Sequence, residues 1–116
     1  MGTDPAYLRL AVYNLVKNAL EAFERKGIPL KQREIRISVL SDQYALIIED
    51  NAGGVDPKFS DRIFSRYVSV KGIQKQTGLG LFNARKAIEK LEGRLDFPEK
   101  QPEHGTRFEI IMNGEL

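Results

Sequence analysis

Apolar residues recur at helical spacing in two stretches of the chain. The first stretch runs from Asp4-Pro5 to Arg25, and its apolar positions are Leu8, Val12, Leu15, Ala19 and Phe23. The second starts at Thr77-Gly78-Leu79-Gly80 and ends before Gly93, with apolar positions Leu81, Ala84, Ile88 and Leu91. Cap, proline and glycine residues stand where helices typically begin and end. The spacing therefore predicts two amphipathic helices.

Four shorter stretches alternate apolar and polar residues and are predicted to be strands. They are Ile35 to Val39, Tyr44 to Asp50, Arg94 to Phe97 and Thr106 to Met112. In the second of them Leu46, Ile48 and Asp50 share one face, so a carboxylate ends an apolar row. Helices separated by strands that can form hairpins favour an α+β sandwich, with helices on one face of a mixed sheet.

The segment from Asn51 to Gln76 has no regular period beyond one helical turn near Asp61 to Phe64. A segment of this length in a small domain is more typical of a functional lid than of a plain connection. Residues 56–76 are the predicted lid. Phe64 and Tyr67 are predicted to anchor it to the core rather than to stack on a base.

The composition limits the class of protein. A chain of 116 residues, 41% of them hydrophobic, fits one domain over residues 1–116. It has no cysteine and one histidine, which excludes disulfides and thiolate metal sites. The 18 basic and 16 acidic residues are too balanced for a nucleic-acid-binding protein. No apolar run approaches the ~20 residues of a membrane-spanning helix, so we expect a cytoplasmic domain without direct membrane contact.

Asn14, Asn18 and Glu21 form one row beside the apolar stripe of the first helix, because residues three and four apart are neighbours on a helix. Carboxamide and carboxylate oxygens are ligands that Mg²⁺ accepts while it keeps water and phosphate oxygens. The row is compatible with a magnesium site, and a solvated helix face is the simpler alternative.

Asp50 lies at the mouth of the turn Asn51-Ala52-Gly53-Gly54. A carboxylate there can accept a hydrogen bond from an exocyclic amine, which would select adenine over guanine. The glycines let the backbone approach a base and let the chain turn into the lid. An ordinary Asp-Asn-Gly-type turn is an equally good interpretation of these residues alone.

Two glycines stand at the start of the second helix in Thr77-Gly78-Leu79-Gly80-Leu81. Unpaired N–H groups and the positive end of the helix dipole can bind phosphate there, although plain helix-start glycines explain the same pattern. Lys71 and Lys75 precede this turn and could contact a triphosphate or remain solvated. His104 precedes Gly105-Thr106 at a strand start, where a structural histidine is more typical than a phosphate acceptor.

The order of these motifs, from Asp4 to about Met112, resembles the catalytic and ATP-binding domain of sensor histidine kinases. The wider superfamily includes DNA gyrase, the MutL mismatch-repair proteins and heat-shock chaperones. The resemblance implies a two-layer α/β sandwich of the Bergerat type, with three helices on one face of a mixed five-stranded sheet. It also implies ATP or ADP and Mg²⁺ as ligands.

The resemblance assigns roles to individual positions. Asn14 to Ala19 is similar to the asparagine box, which implies that Asn18 binds magnesium and that Asn14 assists near the phosphates. Asn14 stands where gyrase-like ATPases carry a water-activating glutamate, which favours transfer to a protein over hydrolysis. Asp50 resembles the adenine-reading aspartate. The other positions implied to contact nucleotide are Ala52, Gly54, Val55, Lys71, Thr77, Gly78, Leu79, Gly80, Leu81 and Thr106.

The implied catalytic residues are Asn14, Asn18 and Lys71. The chain departs from the family pattern at Glu21 and Ala22, where many members carry a phosphate-binding lysine and a base-stacking tyrosine. Neutralisation of the phosphates would then fall to Lys71, Lys75 or Arg66, and the sequence leaves that choice open.

The resemblance implies a protein-histidine kinase domain, which transfers the γ-phosphate of Mg-ATP to a histidine on upstream dimerising helices. A response regulator then receives the phosphate. Met1-Gly2-Thr3 is more typical of an added start than of a natural one, so we expect a monomeric fragment that binds nucleotide without phosphorylating itself. Two other interpretations stay open: a serine kinase of the anti-sigma-factor type, and an ATP-dependent conformational switch without catalysis.

Overall fold

The computed structural model of the chain describes residues 5–55, 63–64 and 79–112. Its regular elements follow one another as helix, strand, strand, helix, strand, strand. They are α1 (Pro5–Arg25), β1 (Ile35–Leu40), β2 (Ala45–Asp50), α2 (Gly80–Lys90), β3 (Arg94–Asp96) and β4 (Thr106–Ile111). All of them lie where the sequence pattern predicts an element, although α2 begins only at Gly80, after most of the glycine motif.

The four strands form one sheet in the order β1-β2-β4-β3, and every pairing is antiparallel. The expected mixed pairing is therefore wrong for the residues that the structure describes. β2 and β3 do run in the same direction, but β4 lies between them and pairs with both. The fifth strand and the third helix implied by the resemblance are not among the described residues.

Both helices pack on one face of the sheet and bury an apolar cluster against it. The cluster residues from the helices are Ala11, Leu15, Leu81, Ala84, Ala87 and Ile88, and those from the strands are Ile48, Leu95, Phe108 and Ile110. Ala11 and Ala84 are fully buried. Such small side chains let two helices approach closely, so the start of α2 lies beside the middle of α1.

β1 is an edge strand of this sheet, and its apolar row is only partly covered. Ile37 pairs with Ile48 and Val39 pairs with Leu46, so these side chains all lie on the helix-facing side of the sheet. Ile37 is nevertheless 48% exposed and Val39 67% exposed. Alternation along the strand predicted the correct face, but burial on that face depends on the helices, and α1 packs more against β2 than against β1.

Candidate functional site

Asp50 ends β2, and a backbone N–H group holds its carboxylate. The Ala52 N–H donates to Asp50 Oδ1 at 2.9 Å, and the Thr106 backbone N–H favours the ionised form of the carboxylate. Thr106 lies directly opposite Asp50 in the pairing of β2 with β4. The bond from Ala52 orients the carboxylate before any ligand arrives.

Burial raises the pKa of the Asp50 carboxyl above its ordinary value. The backbone donors from Ala52 and Thr106 and the positive charge of Lys26 act in the opposite direction, but they do not outweigh burial. A ligand N–H that donated to the ionised carboxylate would offset this cost. The arrangement therefore suits a ligand with a hydrogen-bond donor at this position.

The turn that follows β2 depends on two glycines. Gly53 and Gly54 have φ values of +93° and +85°, which residues with a Cβ rarely adopt. The Gly53 N–H donates to the His104 carbonyl at 2.9 Å, which joins this turn to the one before β4. A Cβ on Gly105 would overlap the Asp50 carbonyl oxygen, so the two turns can touch only through backbone.

Asn14 and Gly80 lie together where α1 meets α2. Asn14 Nδ2 donates to the Leu10 carbonyl at 3.0 Å, so Oδ1 is the atom of this side chain that can accept a hydrogen bond or bind a cation. A Cβ on Gly80 would lie 3.6 Å from Asn14 Oδ1, so the start of α2 adjoins this oxygen. Asn18 is half-buried one turn further along the same side of α1. Tertiary packing thus brings the asparagine row to the start of α2.

The remaining predicted site residues differ in the solvent exposure of their side chains. Ala52, Leu81 and Thr106 are buried, at 1%, 7% and 6% exposed, while Val55 and Leu79 are half-buried. Leu81 belongs to the apolar cluster, so its backbone rather than its side chain is available to a ligand.

Lys71, Thr77 and Gly78 lie outside the described residues, as does most of the predicted lid, 56–76, with Tyr67. Phe64 is described, and its ring packs edge-on against Phe108 with the centroids 6.0 Å apart. This contact agrees with the predicted anchoring of the lid at Phe64.

Lys26 is a residue of this region that the sequence analysis did not predict. Its Nζ donates to the Gly54 carbonyl at 2.9 Å, and its charge acts on Asp50. The chain turns back directly after it, since Gly27 has a φ of +64° and the Ile28 N–H donates to the Phe23 carbonyl at 3.0 Å. No spacing rule relates residues 26 and 54, so only the tertiary structure reveals the contact.

Glu21 and His104, two polar residues named in the sequence analysis, do not surround Asp50 with their side chains. Glu21 lies in the asparagine row and interacts electrostatically with Arg25, one turn further along α1. The His104 side chain is 83% exposed, while its carbonyl binds the Gly53 N–H. His104 therefore contributes to this turn through its backbone carbonyl.

Within residues 5–55, 63–64 and 79–112, no three His, Cys, Asp or Glu side chains lie close enough together to hold a metal ion. A cation beside α1 would instead need carboxamide oxygens, and Asn14 and Asn18 are donors of the kind that Mg²⁺ accepts. In the same part of the chain, neither helix is long and apolar enough to cross a membrane.

Several known proteins are similar to the chain. The family model of histidine kinase-, DNA gyrase B-, and HSP90-like ATPases matches residues 3–115. The sensory histidine kinase/phosphatase NtrB of Salmonella typhimurium is 33% identical over 116 residues, which cover 94% of this chain and 32% of that protein. A probable C4-dicarboxylate sensor kinase of Bacillus subtilis is 32% identical over 104 residues, or 88% of this chain and 19% of that protein.

A solved structure has a similar fold. The mycobacterial sensor histidine kinase MprB superimposes with a TM-score of 0.68 at 24% identity, covering 95% of this chain and 74% of that chain. The α+β fold with helices on an antiparallel sheet is thus that of a histidine kinase ATPase domain.

The fold and the family match together define an ATP-binding domain of the kind found in histidine kinases. The chain belongs to the family of histidine kinase-, DNA gyrase B-, and HSP90-like ATPases, as the domain found in sensor histidine kinases. It spans about a third of the length of the NtrB protein that it matches, 32%. The family resemblance seen in the motifs is confirmed.

Proposed function

We propose that the chain binds Mg-ATP and transfers the γ-phosphate to a histidine on a separate helical phosphoacceptor segment, as the kinase module of a two-component system. The observation that carries this proposal is the Asp50 carboxylate, held by the Ala52 N–H beside a glycine turn. An ionised carboxylate accepts the exocyclic amine of adenine and has no donor for the carbonyl of guanine. Membership in a family of ATPases supports the same nucleotide.

In this proposal the phosphates lie between the asparagine row of α1 and the start of α2. Leu79 gives α2 no side-chain cap, and the backbone N–H groups of a helix start carry partial positive charge that favours phosphate. Asn14 and Asn18 offer carboxamide oxygens for Mg²⁺, which when bound neutralises charge on the phosphate oxygens. Lys71, Thr77 and Gly78 are the further phosphate contacts that we propose.

The proposed transfer breaks the bond between the γ-phosphorus and the β–γ bridging oxygen, and a ring nitrogen of the acceptor histidine forms the new bond to phosphorus. A neutral imidazole attacks with its own lone pair, so the domain needs to position and neutralise rather than to supply a strong base. Asn14 fits this chemistry, because a carboxamide cannot take a proton from water as a glutamate can.

The partners of the proposed reaction are the dimerising helices that carry the acceptor histidine and a response regulator that receives the phosphate on an aspartate. The resemblance of the chain to sensor histidine kinases supports both partners. We propose that the chain alone is a monomer that binds nucleotide and does not phosphorylate itself.

Calorimetric titration with ADP and GDP, each with and without Mg²⁺, tests the nucleotide site. We expect ADP to bind more tightly than GDP and magnesium to strengthen that binding. Asp50→Asn should weaken ADP binding by about tenfold or more, because the amide would present a donor to the adenine amine. A wild-type chain that binds neither nucleotide would contradict the proposal.

Incubation with labelled ATP and a supplied phosphoacceptor hairpin tests the transfer. We expect acid-labile label on the hairpin histidine, lost with Asn14→Ala or Asn18→Ala and kept with Glu24→Ala, a control on the exposed side of α1. Unchanged transfer by either asparagine variant would overturn the role of the row. Label on a serine of an antagonist protein would instead indicate the anti-sigma-factor type, and nucleotide-dependent association without label would indicate a switch.

A further inference from the structure

We infer that Lys26 is a positioning residue of the nucleotide site, whose ammonium holds the Gly53-Gly54 turn in the shape that directs Asp50 toward adenine. The inference rests on the proposed function, because it assigns one more residue to the same site. Lys26 lies outside every motif that the sequence resemblance covers, and its position follows from the end of α1.

The contact between Lys26 and the turn is close and has a specific geometry. Lys26 Nζ donates to the Gly54 carbonyl at 2.9 Å. A Cβ on Gly53 would lie 2.9 Å from Lys26 Nζ and 3.4 Å from Lys26 Cδ, so the lysine side chain runs along the open face of that glycine. Only a residue without a Cβ at position 53 leaves this space to Lys26, which links the lysine to the glycine motif.

The Gly53-Gly54 turn needs such a constraint because glycine loses more conformational freedom on ordering than any other residue. One side of the turn is held by the bond from the Gly53 N–H to the His104 carbonyl, 2.9 Å long. The bond from Lys26 holds the following carbonyl, and a donor that carries charge forms a stronger bond to it than a neutral donor does. Together the two hydrogen bonds fix the backbone that follows Asp50 and Ala52.

The charge of Lys26 also affects the ionisation of Asp50. Burial lowers the pKa of the Lys26 ammonium, and Arg25 lowers it further, while Asp50 acts in the opposite direction. The Asp50 carboxylate in turn is favoured in its ionised form by Lys26. Removal of the ammonium should therefore affect both the shape of the turn and the acceptor strength of Asp50.

Titration of ADP and GDP into Lys26→Met, Lys26→Arg and the wild type tests the inference. Lys26→Met keeps the length of the side chain but loses the donor and the charge, and we expect about tenfold weaker ADP binding. The preference for ADP over GDP should fall with it. Lys26→Arg can still donate to the Gly54 carbonyl and should restore most of the affinity.

Lys90→Met is the matched control, since Lys90 is exposed at the far end of α2 from Gly80. It should leave both affinities and the melting temperature unchanged. Wild-type affinity in Lys26→Met, or equal losses in Lys26→Met and Lys26→Arg, would overturn the inference about Lys26. Absence of ADP binding by the wild type would instead overturn the proposed function, so the two failures are distinguishable.

Discussion

Gly105 has no space for a side chain. A Cβ there would overlap the Asp50 carbonyl oxygen and lie 3.2 Å from the Asn51 Cα, and backbone at the end of a paired strand cannot yield as a flexible side chain can. Gly105→Ala should therefore force the ends of β2 and β4 apart, at a cost of about 1–3 kcal/mol in the free energy of unfolding. ADP affinity should fall at least severalfold. Urea unfolding and calorimetry measure the two effects.

Gly27→Ala is the control for that variant. Gly27 has a φ of +64° and no heavy atom within 4 Å of an added Cβ, so the substitution adds backbone strain without a clash. It should cost roughly 1–2 kcal/mol, because the left-handed region is unfavourable for alanine. ADP affinity should fall less than in Gly105→Ala, since the ends of β2 and β4 are not forced apart. Full ADP affinity in Gly105→Ala would mean that the contact between the two turns does not shape the site.

The raised pKa of the Asp50 carboxyl predicts that the stability of the folded chain depends on pH. Because burial raises its pKa, the folded chain binds a proton at Asp50 at a higher pH than the unfolded chain does. Its contribution to stability is therefore fully present below the ordinary aspartate pKa of about 4 and is lost as the pH rises through the raised value. The free energy of unfolding of the wild type minus that of Asp50→Asn should fall over this range.

Denaturant unfolding of both proteins at stepped pH measures that difference, and other titrating groups cancel in the subtraction. Above the raised pKa the difference should become constant. A difference that rises with pH would mean that the two backbone donors and Lys26 outweigh burial, contrary to the direction of the shift.

At the scale of elements, the contact between α1 and α2 connects the core to the site. Ala84 is fully buried in α2, and the same packing brings Gly80 to Asn14 Oδ1. Ala84→Leu should overpack this contact and cost about 1–3 kcal/mol. Since α2 would move away from α1, magnesium-dependent ADP affinity should fall more than the affinity measured without magnesium.

Lys86→Leu is the comparison, because it adds a similar side chain on the exposed side of the same helix. It should leave the core and both affinities unchanged. If Ala84→Leu lowered stability without any change in ADP affinity, the spacing of the two helices would not be what arranges the phosphate contacts.

At the scale of the whole molecule, we propose that the acceptor histidine lies on a partner segment and not in this chain. His104 is the one histidine in the sequence, and its exposed side chain lies at the turn before β4. The chain incubated with labelled ATP should therefore remain unlabelled, and His104→Gln should transfer phosphate to a supplied hairpin as the wild type does. Acid-labile label on the chain, lost in His104→Gln, would contradict this separation.

The sequence alone determined much of this molecule. Local periodicity predicted α1, α2 and the strands, because a helix or strand must bury a stripe or a face whatever surrounds it. Asp50 could be assigned to the end of a buried row, and Asn14 and Asn18 to one side of a helix, for the same reason. The order of the motifs was specific enough to predict the family, which the family model confirms over residues 3–115.

Other features were decided by the tertiary structure. The antiparallel order β1-β2-β4-β3 depends on which strands meet across the sheet, and no local pattern encodes that choice. The exposure of Ile37 and Val39 depends on where the helices lie. The bond from Lys26 to Gly54 joins residues far apart in the chain. Periodicity reports the environment of neighbouring residues, whereas contacts between distant segments form only when the elements pack.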